Sequence, residues 1–154
     1  MALSSSMSGA LQEVFTGRPW MQGFQENMII SSSFFLLNVG GAAAAGAYGG
    51  AGVNGLQARV RWTKTPGSGG ALTIGPAAHF NVPLSAPIEV GSKTTFAAHE
   101  FGHTIQFIAL SALGSPWMPY LGMGLVGLTD TPIGRFWEDT ASLFGNLLGG
   151  GFVR

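Results

Sequence analysis

Residues 99–103 read His-Glu-Phe-Gly-His, and no other stretch constrains the fold of this chain as tightly. On a helix, side chains four positions apart lie on one face a turn from each other, so both imidazoles reach a common point. The segment Lys93 to Leu113 is helical in character, with Ser92 or Thr94 to cap its start and Gly114-Ser115-Pro116 to stop it. Phe96, Ala97, Ala98, Phe101, Gly102, Ile105 and Phe107 surround the polar trio, which predicts a buried helix. Two histidines and a glutamate buried without a partner cost several kcal/mol, and a metal ion is a partner that fits them. With three His and five Glu in 154 residues, random placement produces the pattern in roughly one chain in 500, so chance explains it poorly.

The absence of cysteine leaves only His, Asp and Glu to hold a metal. Zn²⁺ in a catalytic site takes three protein ligands and keeps a fourth position open for water. His99 and His103 supply two, and Glu100 is the expected general base on metal-activated water in peptide-bond hydrolysis. After His103 the chain reads Thr104-Ile105-Gln106-Phe107, without the Gly and third His of a metzincin. The third ligand is expected instead from a later helix, where Glu138 lies 35 residues beyond His103. Ala141, one turn further on, is small enough to let the two helices approach closely.

Only 9% of the residues are charged, against about 25% in an ordinary soluble domain. Lys+Arg and Asp+Glu balance at seven each, so no basic footprint exists for a nucleic-acid partner. Two stretches, 27–58 and 101–129, contain no Asp, Glu, Lys or Arg. Ser31-Ser32-Ser33 and Asn38 interrupt the first, and Gly114, Pro116 and Pro119 break the second. Neither is a convincing span, although both allow association with a membrane. Met1 to Ala10 has no Lys or Arg and no compact apolar core, so it does not resemble a signal peptide, and cellular location stays open.

A single α+β domain is expected over 1–154. Its N-terminal helical segment covers 12–38, where Trp20, Phe24 and Met28 follow Arg18-Pro19 at helical spacing. A Gly/Ala-rich segment follows over 39–56, read as a connector or a tightly packed small-residue helix, then a core over 57–150. Gln57 to Thr63 alternates as a half-buried strand does, and Ala71 to Gly75 resumes one after the turn Pro66-Gly67-Ser68-Gly69-Gly70, which predicts a β-hairpin. Residues 76–92 are expected to be irregular or to form short extended structure, and a last helix to run from Gly134 to Leu148 before Gly149-Gly150-Gly151.

Four features together resemble a family of gluzincin-type metallopeptidase domains found in bacteria, often at the C-terminus of RHS-repeat proteins. They are the strand Gly70 to Gly75, the block His99 to Gln106, the segment Gly114 to Pro119, and Glu138 with Ala141-Ser142. The resemblance covers roughly 70–150 and implies a small zincin-like fold with an active-site helix, a short sheet and a C-terminal ligand-bearing helix. Better known gluzincins place an Asp four residues after the ligand Glu to orient the first His, and this chain has Ser142 there. Tyr120, His79 and Arg135 are the candidates for stabilising an oxyanion, with Arg135 equally suited to pair with Asp139. The free edge of the Ala71 strand is a candidate for pairing with a peptide or protein substrate. Two alternatives are a non-catalytic, metal-stabilised binding or toxin-associated module and a membrane-embedded metalloprotease. The latter would need a later Asp ligand, and Asp130 sits in an unsuitable Leu128-Thr129-Asp130-Thr131-Pro132 context.

Overall fold

The computed structural model describes residues 1–63 and 70–149. The turn expected at Pro66 to Gly70 and the glycines after Gly149 fall outside them, Gly70 excepted. Among the described residues the fold is α+β, with five α-helices and a four-stranded mixed sheet.

The N-terminal segment is two helices. α1 (Ala2–Thr16) ends at Gly17, whose φ of 72° is the left-handed conformation that glycine adopts without strain, and Pro19 then starts α2 (Trp20–Ala44). α2 runs on into the Gly/Ala-rich segment as far as Ala44, so the first part of that segment takes the helical alternative. The rest of it contains β1 (Tyr48–Val53), which pairs antiparallel with β2 (Ala58–Trp62).

The expected hairpin is re-partnered. β3 (Ala71–Ile74) turns at Gly75-Pro76 into β4 (Ala77–Phe80), a short extended piece within residues expected to be irregular or briefly extended. Gly75 has φ 60°, which this two-residue turn requires. β4 then inserts between β2 and β3, parallel to β2, in the order β1-β2-β4-β3. Ala77, Ala78 and Phe80 are all buried, so this central strand lacks the alternation that marks a half-exposed one.

Helix α3 (Phe96–Leu110) begins later than expected. Thr95, not Ser92 or Thr94, is its cap, accepting from the Ala98 N–H at 3.2 Å. Ser111–Leu113 adds a 3₁₀ turn. After the break at Gly114 and Pro116 the chain forms a helix through Pro119, α4 (Trp117–Gly127), which turns Trp117 and Tyr120 inward onto Phe107 and Trp137. α5 (Pro132–Leu148) starts two residues earlier than expected, capped by Thr131 with proline in its first turn.

Candidate metal centre

The site forms where α3 and α5 approach at close range. A Cβ on Gly102 would collide with the Ala141 carbonyl, and one on Gly145 with the Ala98 carbonyl, so neither glycine has room for a side chain. The small Ala141 thus faces Gly102, and this contact places Glu138 opposite the His-Glu-x-x-His turn. Asn146 Nδ2 donates to Thr94 Oγ1 at 2.8 Å and ties the far end of α5 to the start of α3.

Glu138 Oε2 lies 3.0 Å from His99 Nε2 and 3.4 Å from His103 Nε2. The three donor atoms lie within 4.8 Å of one another. Donors about 2.0–2.2 Å from a tetrahedral zinc are separated by roughly 3.3–3.6 Å. The His103–Glu138 separation of 3.4 Å lies in that range, and the His99–Glu138 separation of 3.0 Å is a hydrogen bond that has to open slightly to admit an ion.

The Nδ1 atoms are occupied elsewhere, which leaves Nε2 to face the site. His99 Nδ1 is 2.9 Å from Ser142 Oγ, so the serine occupies the orienting position. His103 Nδ1 donates to Gln106 Oε1 at 2.8 Å. The Gln106 amide is itself set, because its Nε2 donates to the Trp137 carbonyl at 2.7 Å and to Thr140 Oγ1 at 2.8 Å. Gln106 was in the resembling block without an assigned role. Its position, one turn after His103 on the same helix face, is the signal that could have found it.

Glu100 is 4% exposed, and its Oε2 has no hydrogen-bond partner. Its backbone carbonyl accepts from Gln57 Nε2 at 3.0 Å and from Thr73 Oγ1 at 3.2 Å, which fastens this turn of α3 to the sheet. Thr104 continues the seam by donating to the Gly75 carbonyl at 3.0 Å. Burial pushes the Glu100 carboxyl above its ordinary value against the opposing pull of His103 and His99. Burial would also raise Glu138, but the hydrogen bonds to His103 and His99 outweigh it and hold that carboxyl down to about 2. For His103, burial works downward, and the Glu138 hydrogen bond and the Glu100 charge outweigh it, leaving the imidazole above its usual value.

These groups line a cavity of about 610 Å³ whose other walls are almost wholly apolar, from Leu72 and Ile74 on β3 to Leu121, Leu125 and Leu128 at α4. Of the three oxyanion candidates only Tyr120 lines it. Its hydroxyl donates to the Thr73 carbonyl at 3.0 Å, so one carbonyl of edge strand β3 is already occupied. His79 lies on β4 beside Trp62, away from the cavity, and burial lowers its pKa. Arg135 is outside the cavity and pairs with Asp130, not Asp139. No family model, curated protein or solved structure matches this chain.

Proposed function

We propose that this protein is a zinc-dependent metallopeptidase of gluzincin type with a zincin-like core. His99, His103 and Glu138 are its metal ligands and Glu100 its general base. The observation that carries the reading is the buried, unpartnered Glu100 oxygen beside three converging donors on the wall of an apolar cavity. A metal-stabilised module without chemistry would have no use for that carboxylate, whose desolvation is a cost the fold would otherwise avoid.

Zinc held by the three donors supplies Lewis acidity toward a carbonyl and lowers the pKa of water. Glu100 takes a proton from the attacking water at Oε2 and passes it to the departing amine nitrogen. A carboxyl raised by burial is closer to neutral pH and serves both transfers better than an exposed one. Ser142 and Gln106 hold the imidazoles in orientation, and Leu121, Leu125 and Trp137 exclude water and favour substrates with large apolar side chains.

Zinc analysis combined with cleavage of a fluorogenic peptide library tests this. Glu100→Gln should retain one zinc and lose cleavage by at least about 100-fold, whereas His99→Ala should lose the zinc. Cleavage by Glu100→Gln at the wild-type rate refutes the base assignment. Full zinc affinity in Glu138→Ala removes Glu138 from the ligand set, and a wild-type chain that takes up no zinc overturns the whole reading.

A further inference from the structure

Helices α1 and α2 are packed inside out for a protein surrounded by water. The side chains between and beneath them are Ser4, Ser5, Ser8, Gln12, Asn27 and Ser31, each 0% exposed. Facing outward are Val14, Phe15, Ile29, Leu36 and Leu37, each 65–75% exposed. The two helices meet through glycine. A Cβ on Gly9 would press on the Trp20 carbonyl, and one on Gly23 would meet the Gln12 side chain. Small residues at the contact, polar side chains inside and aliphatic ones outside are how helices associate in lipid.

The apolar side chains of α2 are spread around the helix instead of forming one stripe. A long helix with apolar side chains on every side, even one interspersed with Ser and Asn, belongs either in a protein core or in a membrane. The core is excluded, because only 17% of its most apolar 18-residue stretch is buried. The mean hydropathy of that stretch is 1.3. Asn27 to Ala44 carries no charge and rises about 27 Å, close to the roughly 30 Å of a bilayer's hydrocarbon. The nearest charges, Glu13, Arg18 and Glu26, gather toward the turn between the helices, where Arg18 pairs with Glu26.

We propose that the α1–α2 hairpin is seated in the hydrocarbon of a lipid bilayer, with its outward aliphatic face against acyl chains. The inference does not depend on the metal centre or on peptidase activity.

The chain has no cysteine, so single substitutions report cleanly. Ile29→Cys and Leu36→Cys, each labelled with an environment-sensitive fluorophore in the full chain, are mixed with phosphatidylcholine vesicles, with exposed Glu89→Cys as control. The first two labels should shift to the blue and be quenched by lipids spin-labelled on the acyl chain, while the control does neither. Leu36→Arg should lower the vesicle-bound fraction at least about tenfold, with an unchanged far-ultraviolet helix signal showing that the hairpin is still folded. Two results overturn the proposal. One is a detergent-free monomer whose labels ignore vesicles. The other is labels shielded equally without lipid in a dimer, which would mean that a second copy covers the face.

Discussion

Gly102→Ala sets two physical effects against each other. Replacing a mid-helix glycine by alanine should stabilise α3 by about 1 kcal/mol through propensity alone. The added Cβ, however, falls on the Ala141 carbonyl, more than about 1 Å inside an ordinary contact of about 3.5 Å. The obstacle is backbone, so no rotamer change relieves it, and α5 has to move. Overpacking of this kind costs about 1–3 kcal/mol, which exceeds or cancels the propensity gain. A net loss of up to about 2 kcal/mol lowers Tm by up to about 8 °C in a domain this size. The larger effect falls on the site. Glu138 lies one turn from Ala141 and moves with it, whereas metal–ligand distances tolerate only about 0.2 Å. Zinc affinity, measured by competition with a chromogenic chelator, should fall at least about 100-fold, beyond the usual cost of losing an outer hydrogen-bond partner. Gly145→Ala, whose Cβ would meet the Ala98 carbonyl next to His99, should lower Tm similarly and also weaken zinc binding. A Gly102→Ala chain with raised Tm and unchanged zinc affinity would refute the claim that this contact sets the site.

Three further outcomes follow from the same geometry. Gln106→Leu should weaken zinc binding about 10- to 100-fold by freeing the His103 ring, and unchanged affinity in a chelator titration would show that the clamp on Nδ1 is idle. In the metal-free protein the contributions of Glu138 and His103 to heat stability should together be greatest between about pH 4.5 and 6.5. Glu138, with its pKa lowered, contributes stability above its ordinary 4.5 that is lost as the pH falls toward about 2, and His103, with its pKa raised, contributes below 6.5 and loses it as the pH rises through its elevated value. A melting profile flat over pH 3–8 would contradict both assignments. Tyr120→Phe removes the donor to the Thr73 carbonyl and should cost about 1–3 kcal/mol in denaturant unfolding, and an unchanged midpoint would mean that this bond contributes nothing.

What the sequence disclosed about the site divides along a physical line. His99 and His103 converge because of helix periodicity, a local property that five residues specify. Glu138 could be expected from its place on a later helix, but the contact that brings it in, Gly102 against Ala141 and Gly145 against Ala98, is one of shape between distant segments. Gln106 and Ser142 depend on that docking and acquire a role only once α5 is in place. The same division explains the fold. β4 has no alternation because it is central, so its four residues gave no strand pattern. The two-residue turn Gly75-Pro76 was the available signal for it. α2 continues through Gly40 and Gly41, where glycine's backbone freedom argued for a connector. Gly41 lies 3.7 Å, by its Cβ position, from the Trp62 ring, a tertiary contact that no local pattern records.

The scarcity of charge has two causes that act on different parts of the molecule. The proposed metal centre would account for where several ionisable groups are, since Glu100, Glu138, His99 and His103 meet at one cavity wall. It cannot account for where charge is missing, because the uncharged turns of α2 lie largely on the surface, and a buried site exerts no selection on what faces outward. On the reading proposed above, the uncharged exterior of α2 answers to the surrounding solvent, and the buried carboxylate to chemistry inside. The two causes should therefore separate on chelation. Stripping zinc should abolish peptide cleavage while the labels at Ile29→Cys and Leu36→Cys still report lipid. If vesicle binding disappears with the metal, the hairpin's placement depends on the centre and the two causes are one.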